Sequence, residues 1–274
     1  KKAAFYTLGC KVNQYETEAM AELFADSGYE IKEFTEVADV YVINTCSVTN
    51  MGDRKSRQII RRAKKLNPNA VIAVTGCYAQ TAPDEVLAIE GVNLVLGTKD
   101  RKNIVTLVEE LNTESNINHV SDIMSNHEFE ELQIKQYSNR TRAFIKIQEG
   151  CNQFCSYCII PYARGPVRSR AKDDVVREIK ELAHNGFKEI ILVGIHVASY
   201  GVDLGDTTLE SLIMDVDKID GVERIRLSSI EPMTLNQEFI DSIKDSKKLC
   251  HHFHISLQSG CDETLKRMNR KYTT

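Results

Sequence analysis

Segments typical of β-strands alternate with segments typical of helices along most of this chain, and that alternation restricts the possible folds more than any other feature. In the N-terminal part, strands are predicted over residues 3–8, 39–44, 70–75 and 93–96, and helix-like segments follow them, the last over 102–111. The strand-like segments are short and apolar, whereas the helix-like segments repeat apolar residues every three or four positions. This pattern favours an α/β fold in which helices flank an open parallel sheet of the Rossmann or flavodoxin type.

The sequence changes character over residues 113–139, which are polar and weakly periodic. From Arg142 the alternation restarts. Strands are predicted over 143–148, 189–193, 224–228 and 253–257, and helices over 173–184, 209–219, 238–244 and 262–268. Four such units are half of an eight-fold barrel, so we expect a partial (β/α) barrel that stops before closure. The predicted organisation is an N-terminal domain over 1–118, a linker over 119–139 and a second domain over 140–274.

Composition excludes some classes of protein. No apolar run reaches the roughly 18–20 residues that a membrane-spanning helix needs. No signal peptide precedes Lys1, so we expect a cytoplasmic protein with no membrane partner. The net charge of −4 gives no overall electrostatic reason to expect nucleic-acid binding. Eight cysteines in a reducing compartment point to metal binding or catalysis rather than to disulfides.

Three of the cysteines, Cys151, Cys155 and Cys158, lie in a C-x3-C-x2-C spacing directly after the first predicted strand of the second domain. Three thiolates this close on one loop can hold three corners of a [4Fe–4S] cluster. Because no fourth cysteine lies nearby, one iron would stay open for another ligand. A zinc site is the alternative, but zinc prefers four ligands in paired C-x2–4-C units.

Three further cysteines are far apart in sequence but occupy equivalent positions. Cys10, Cys46 and Cys77 each come just after a predicted strand of the first sheet. The carboxyl ends of parallel strands meet at one edge of a sheet, where ligands bind. We therefore predict a second iron–sulfur cluster with an open iron at this edge. The alternative is that the three are buried structural thiols, a common role for free cysteine.

These motifs resemble those of the radical S-adenosylmethionine (SAM) methylthiotransferases. The similar stretches are GCKVNQYE at 9–16, NTC at 44–46, TGC at 75–77, the C-x3-C-x2-C loop, Ser169-Arg170, the GIH-x3-YG stretch at 194–201, LSSIEP at 227–232 and LQSG at 257–260. The resemblance covers nearly the whole chain. Within the family, GCKVNQYE and SSIEP are most similar to the branch that converts N6-threonylcarbamoyladenosine at position 37 of tRNA to its 2-methylthio form.

The resemblance implies two [4Fe–4S] clusters and SAM as cofactors, with the six cysteines named above as ligands. One SAM would methylate sulfur on the Cys10, Cys46 and Cys77 cluster, and a second would be cleaved to a radical at the other. The open irons would then have to face one cavity, with the nucleotide between them. The implied partners are the tRNA anticodon loop and a reductant protein such as a flavodoxin or ferredoxin. An RNA-binding TRAM domain, which the family carries, is expected to be missing here.

Further residues are predicted near SAM. They are Tyr157, Arg170, Gly194, His196, Glu231 and Gln258. Tyr157 would form an aromatic wall beside the adenine, or would only pack in its loop. Arg170 would meet the SAM carboxylate. His196 is nearly as easily a core or loop histidine, whereas Glu231 and Gln258 are polar groups expected in apolar settings.

Two basic groups also stand out. Arg54, Lys55, Arg57, Arg61, Arg62, Lys64 and Lys65 crowd one predicted helix, and they are either a phosphate-binding face or a solvated one. Arg164, Arg168, Arg170 and Lys172 follow the second cysteine loop and are better placed to meet an anion. Cys250 and the histidines near it suggest a metal site, but adjacent side chains point in different directions and cannot easily bind one ion together. Cys250 and Cys261 are therefore expected to be structural thiols.

Several alternatives remain open at this stage. The isopentenyladenosine branch of the same family is the second candidate, and the branch that modifies a ribosomal-protein aspartate is the third. An iron–sulfur electron-transfer protein is the main candidate outside the family, although such carriers usually saturate each cluster with four cysteines.

Overall fold

The computed structural model describes residues 1–47, 50–111, 116–134 and 141–274. The chain forms two compact units. The first comprises Lys1–Asn126, Glu130–Ile134 and Tyr162–Arg164, and the second comprises His127–Phe129, Lys135–Pro161 and Gly165–Thr274. The predicted boundaries at 118 and 140 stay a prediction, and residues 135–140, where the predicted linker ends and the second domain begins, lie outside the described residues.

A parallel sheet forms the centre of the first unit. Its strands are β1 (Lys2–Thr7), β2 (Glu30–Lys32), β3 (Val40–Thr45), β4 (Val71–Gly76), β5 (Leu94–Leu96) and β6 (Ile117–His119). They lie in the order β2-β1-β3-β4-β5-β6, and every neighbouring pair is parallel. The order reverses at β1, since β2 lies on one side of it and all later strands lie on the other. This open parallel sheet confirms the predicted α/β class.

Helices cover both faces of this sheet. They are α1 (Lys11–Asp26), α2 (Asn50–Leu66), α3 (Cys77–Thr81), α4 (Pro83–Leu87) and α5 (Ile104–Glu109). Val42 packs in one core with Phe24 of α1 and Ile104 of α5, whereas its neighbour Ile43 packs in the other with Ile60 of α2. Successive strand residues thus point to opposite, equally buried faces, which explains why the strands are continuous apolar runs.

The sequence-based prediction located the four central strands but missed the two edge strands. β2 has the sequence EIK and β6 has INH, with most of their residues exposed. Three residues without an apolar run give no periodic signal, because an edge strand buries little of its surface.

The second unit contains a four-stranded sheet. Its strands are β7 (Arg142–Glu149), β8 (Arg168–Ser169), β9 (Glu189–Gly194) and β10 (Arg224–Leu227). They lie in the order β10-β9-β7-β8; β7, β9 and β10 are parallel, and β8 is antiparallel to β7. The helices of this part of the chain are α6 (Ile160–Arg164), α7 (Lys172–His184), α8 (Leu209–Asp217), α9 (Gln237–Ile243) and α10 (Asp262–Arg267). This half-barrel agrees with the predicted partial barrel.

The predicted fourth strand, over residues 253–257, is wrong. This part of the chain makes only isolated parallel bridges, from Leu249 to Ile225 and from Ile255 to Ile230. Ile255 and Leu257 are exposed, so the apolar residues that suggested a strand have no core to pack against.

Short 3-10 helices span Arg101–Asn103, Ile123–Ser125, Val197–Ser199 and Pro232–Thr234. Among the helices that the structure describes, none is both long and apolar enough to cross a membrane.

Candidate functional site

The first cysteine set lies at one edge of the six-stranded sheet. Cys10 precedes α1 just beyond β1, Cys46 directly follows β3, and Cys77 directly follows β4 as the first residue of α3. These three strands are neighbours, and the strand order reverses at β1. Open α/β sheets bind their ligands at the carboxyl edge beside such a reversal. The structure therefore places the three thiols where the sequence predicted them, while their role as metal ligands stays a prediction.

Two glycines allow the cysteine-bearing loops to approach each other. Gly9 has φ +100°, and a Cβ added there would lie 2.8 Å from Cys46 Cβ and 2.9 Å from its Sγ. Gly76 has φ +96°, and an added Cβ would lie 2.3 Å from the Thr45 carbonyl oxygen. Only glycine fits such positions, since a side chain would collide with the neighbouring loop. Cys46 thus lies against the residue that precedes Cys10.

Asn13, in the GCKVNQYE stretch, joins the same loops. Its buried Nδ2 donates to the carbonyl oxygens of Leu8, at 2.7 Å, and Thr45, at 3.0 Å. Its Oδ1 accepts from the Cys10 thiol at 3.6 Å. Sequence reasoning did not identify this asparagine as a site residue, although it lies inside a motif. Its amide fixes the ends of β1 and β3 relative to each other.

Arg164 completes this site from a distant part of the sequence, and its side chain is fully buried within the first unit. Its Nε donates to Cys77 Sγ at 3.3 Å, and its Nη2 donates to Asn13 Oδ1 at 2.5 Å. Its Nη1 pairs with Glu16 at 2.6 Å. Cys10 keeps exposed surface, yet desolvation by the surrounding protein raises the pKa of its thiol, while the Arg164 charge acts to lower it. The site thus combines three thiols with one buried cation.

The second cysteine set lies on the loop after β7. The Cys151 amide donates to the Gly165 carbonyl at 3.0 Å, and the Cys158 amide donates to the Cys155 carbonyl at 2.9 Å. Asn269, just past α10, donates to the Phe154 carbonyl at 2.9 Å. Burial raises the pKa of Cys151 to about 11, with the other two thiols of the set adding to the shift. The loop is therefore fixed from both ends, with a thiol that stays protonated until a cation binds it.

A chain of polar contacts runs from this loop to two predicted SAM residues. Arg270 Nη1 donates to Cys155 Sγ at 3.1 Å, and Arg270 Nη2 pairs with Glu231 Oε1 at 2.6 Å. The other oxygen of Glu231 lies 3.1 Å from His196 Nε2. Burial raises the pKa of Glu231, but His196 and Arg270 outweigh it and hold the pKa below its ordinary value. Sequence reasoning missed Arg270, whose only signal was its place in a basic stretch after α10.

Gly194 and His196 are both held by Gln148 of β7. The fully buried Gln148 accepts from the His196 amide at 2.7 Å and donates to the Gly150 carbonyl at 2.8 Å. A Cβ at Gly194 would lie 2.9 Å from the Gln148 side-chain oxygen. Gln148, also missed from sequence, thus connects the residue before Cys151 to the turn that carries His196.

The remaining predicted SAM residues are Tyr157, Arg170 and Gln258. Tyr157 is 53% exposed, and Arg170 is fully buried and ion-paired with Glu178. Gln258 is exposed at φ +64°, so the apolar setting expected for it is wrong. The contacts of all six predicted residues with SAM, including those of Gly194, His196 and Glu231, stay predictions.

The arginines of the second basic group are buried rather than exposed to solvent, and contact of Arg170 with an anion stays a prediction. Arg164, Arg168 and Arg170 are buried, and Lys172 pairs with Asp215 at 2.9 Å. In sequence a buried arginine looks like an exposed one, because its carboxylate partner is remote. The first group does present charge to solvent. Its exposed members on α2 are Arg54, Lys55, Arg61, Arg62 and Lys65, and Arg57 and Lys64 are half-buried.

Among the described residues, no three His, Cys, Asp or Glu side chains are grouped closely enough to surround a single metal ion. A four-iron cube binds each thiolate at a separate corner, so its three cysteines lie farther apart than the ligands of a single ion.

Two family models match the chain. Residues 2–97 match the family described as "Uncharacterized protein family UPF0004", and residues 145–274 match the "Radical SAM superfamily". A solved structure, the radical S-adenosylmethionine methyltransferase TsrM from Kitasatospora setae with cobalamin and a [4Fe-4S] cluster bound, is similar at a TM-score of 0.65 and 15% identity. The similar region includes all of this chain and 63% of the TsrM chain. At this identity it supports the fold alone.

Relatives in sequence are more specific. The threonylcarbamoyladenosine tRNA methylthiotransferases MtaB of Bacillus subtilis and Aquifex aeolicus are 52% and 43% identical over 98% and 99% of this chain. The tRNA-2-methylthio-N(6)-dimethylallyladenosine synthase of Thermoanaerobacter pseudethanolicus is 38% identical over 97%. The chain spans 60%, 66% and 58% of these relatives, respectively. With the cysteine sets and both family models, these matches show that the chain belongs to the radical-SAM methylthiotransferase family.

Proposed function

We propose that the protein represented by this chain is a radical-SAM methylthiotransferase that places a methylthio group on C2 of N6-threonylcarbamoyladenosine at position 37 of tRNA. The observation that carries the proposal is the pair of three-cysteine sets, each beyond the carboxyl ends of parallel strands, those of β1, β3 and β4 for the first set and that of β7 for the second. Each set offers three ligands, which leaves one iron of a four-iron cluster open. Cys10, Cys46 and Cys77 would hold one [4Fe–4S] cluster, and Cys151, Cys155 and Cys158 the other.

The choice of nucleoside is supported by the relatives. The Bacillus subtilis and Aquifex aeolicus proteins named for threonylcarbamoyladenosine are more similar to this chain than the Thermoanaerobacter protein named for dimethylallyladenosine. The motifs GCKVNQYE and SSIEP support the same branch. Dimethylallyladenosine, an isopentenyl form, therefore remains the second candidate substrate.

The chemistry requires a radical, since the C2–H bond of adenine is neither acidic nor joined to a leaving group. When bound, SAM and the cluster of the second unit supply a radical able to remove that hydrogen, and the first unit's cluster supplies the sulfur. The protein's own part is to bind and orient. Arg270, which is paired with Glu231, donates to Cys155, and Gln148 holds both Gly150 and the turn that carries His196. Tyr157, Arg170, Gly194, His196 and Gln258 are the further residues proposed to contact SAM.

The proposal also includes partners. The exposed basic side chains of α2 are a suitable surface for tRNA phosphates, although the net charge of −4 offers no general attraction. A reductant protein such as a flavodoxin or ferredoxin would deliver the electrons, and a cytoplasmic location would bring the enzyme to its tRNA. The proposal requires that both open irons face the same nucleotide.

Cluster content and SAM cleavage test the enzyme class. We expect the full-length protein, reconstituted without oxygen, to bind about eight irons per chain, and each triple cysteine-to-alanine variant about four. With dithionite and SAM, the wild-type protein and the Cys10, Cys46 and Cys77 triple variant should form 5′-deoxyadenosine, whereas the Cys151, Cys155 and Cys158 variant should not. Two clusters without any SAM cleavage would favour an electron carrier instead.

Nucleoside analysis tests the substrate. In tRNA from a strain that lacks the full-length protein, we expect 2-methylthio-N6-threonylcarbamoyladenosine to disappear and its unmodified precursor to accumulate. A plasmid copy should restore the modification, and a copy with all six cysteines replaced should not. Loss of the methylthio isopentenyl nucleoside instead would reassign the substrate, and no change in either nucleoside would contradict tRNA methylthiolation.

A further inference from the structure

A buried group of charged side chains lies beside the first cysteine set, and the function proposed above gives it no role. Arg164 and Arg101 each pair with Glu16 at 2.6 Å, and Arg101 also pairs with Glu130 at 2.8 Å. Arg164, Arg101 and Glu16 are fully buried, and all four residues belong to the first unit.

Stability alone is a poor explanation for these charges. Removing an ion from water costs several kcal/mol, and well-packed apolar residues of similar volume often stabilise a protein as well as a buried ion pair does. Removing one partner, by contrast, leaves an uncompensated charge and is costly. The group must therefore be complete to be tolerated, and a role beyond packing explains it better than stability does.

The contacts of Arg164 indicate that role. Its guanidinium donates to Cys77 Sγ, to Asn13 Oδ1 and to the carboxylate of Glu16. Asn13 Oδ1 also accepts from the Cys10 thiol. Arg164 therefore touches one thiol of the set directly and reaches a second through a single amide. A planar guanidinium can make these contacts at once, whereas the point charge of a lysine cannot.

We propose that Arg164 is a positioning residue for the cluster that Cys10, Cys46 and Cys77 would hold, and that it raises the reduction potential of that cluster. The proposal rests on the proposed function only in requiring a cluster at this site. Hydrogen bonds to ligand sulfurs and the local net charge both set the potential of an iron–sulfur cluster. A cation beside Cys77 favours the reduced state, because reduction adds negative charge. Glu16 acts in the opposite direction while it orients the guanidinium.

The test isolates this cluster in the full-length protein. In a background that lacks the other set (Cys151→Ala, Cys155→Ala, Cys158→Ala), the midpoint potential is measured by electron paramagnetic resonance at a series of poised potentials. We expect Arg164→Met to lower the potential and Glu16→Gln to raise it. A tenfold change in the one-electron equilibrium corresponds to about 59 mV, which is the size of shift expected for each.

Matched variants separate this role from a structural one. Arg101→Met breaks a buried ion pair with the same Glu16, so it should lower thermal stability as Arg164→Met does, but shift the potential less. The midpoint potential of Arg164→Lys should lie between those of Arg164→Met and the wild type, because lysine keeps the charge but loses the planar set of guanidinium donors. If Arg164→Met does not fold, the upward shift expected of Glu16→Gln still decides the question.

Three outcomes would contradict the inference in different ways. Cluster-loaded Arg164→Met and Glu16→Gln proteins with unchanged potentials would overturn it and leave the proposed function intact. Potentials that shift in the same direction in both variants would also overturn it. Loosened packing would change both potentials alike, whereas loss of a positive and of a negative charge should change them in opposite directions. If the folded background variant binds no cluster at all, the first cluster of the proposed function and the role of Arg164 fall together.

Discussion

Replacing Gly76 by alanine should damage both the fold of the first unit and its cysteine site. Gly76 ends β4 immediately before Cys77, with φ 96° and ψ −166°. Residues other than glycine essentially do not adopt this conformation, and forcing one there costs about 1–3 kcal/mol. The new Cβ would also lie 2.3 Å from the Thr45 carbonyl oxygen, where ordinary contact begins at 3.4 Å.

The neighbouring strand cannot easily absorb that overlap. Thr45 pairs in register with Gly76, and its hydroxyl donates to the Thr75 carbonyl at 2.6 Å, so moving one strand by about 1 Å strains the other. Overpacking of this kind costs about 1–3 kcal/mol. The two effects together give a loss of about 2–6 kcal/mol, a large part of the roughly 5–15 kcal/mol by which domains are stable.

Gly28 provides the matched control in the same unit. It also has positive φ, +85°, but an alanine Cβ there would meet nothing within 4 Å. Gly28→Ala should therefore lose only the conformational part, about 1–2 kcal/mol. Urea unfolding of the full-length protein gives the two losses, and hydrogen exchange of the β3 and β4 amides locates them. Equal losses in Gly76→Ala and Gly28→Ala would refute the reasoning, as would an unchanged iron content in Gly76→Ala.

Three further predictions follow from charges and pKa shifts. Hydrogen bonds from the first turn of α10 lower the pKa of the exposed Cys261, while burial raises that of Cys151 to about 11. Iodoacetamide at pH 8 should therefore modify Cys261 at least about 100-fold faster in the cluster-free protein, by peptide mass spectrometry, and a faster Cys151 would contradict this. Burial raises the pKa of Glu189, but two arginines of β10 outweigh it and hold the pKa below 4.5. Because its charged form is favoured in the folded state, the stabilisation is present above the unfolded pKa and lost as the pH falls through the folded one. Glu189→Gln should thus lower the free energy of unfolding in urea by about 1 kcal/mol at pH 7. The difference in the free energy of unfolding between wild type and variant should become smaller towards pH 4, and a constant difference would be evidence against the pairing. Replacing Arg61 and Arg62 of α2 by glutamine should reduce the salt dependence of tRNA binding by about 0.7–0.9 in log–log slope per lost phosphate contact, whereas an unchanged slope would remove α2 from the RNA surface.

The architecture was predictable from sequence wherever burial of a strand or helix produced a recognisable pattern of apolar residues. Strands β3 and β4 are buried on both faces, so they read as continuous apolar runs and were located within one residue at each end. Cys46 and Cys77 follow those strands, which is why the shared edge of the first cysteine set could be inferred. The strand predicted over residues 253–257 is wrong because the apolar residues Ile255 and Leu257 are exposed, so an apolar pattern there does not report burial.

The polar part of each site was much harder to predict. Arg164 contacts Cys77 across 87 positions of sequence, and Arg270 contacts Cys155 across 115. No local period or spacing encodes such contacts. Charge patterns did not reveal the burial of the second basic group either, because the carboxylates that pair with Arg164 and Arg170 are not evident from sequence. A motif shows that a residue such as Asn13 matters, but the structure is needed to show which atoms it holds.

The two cysteine sets share one arrangement despite their different chain geometry. In the first, Arg164 donates to Cys77 and pairs with Glu16; in the second, Arg270 donates to Cys155 and pairs with Glu231. In each set an arginine thus gives one thiol a charge-assisted hydrogen bond, which strengthens as the sulfur becomes anionic.

The carboxylate behind each arginine balances its charge and fixes the plane of the guanidinium. Exchanging either arginine for lysine would therefore keep the net charge but lose the fixed direction of the bond to sulfur. Removing either glutamate would leave its arginine buried without the carboxylate that balances its charge, which is costly. The consequence is that the charge beside one thiol of each set is fixed by a residue far from that thiol in sequence, Arg164 for Cys77 and Arg270 for Cys155.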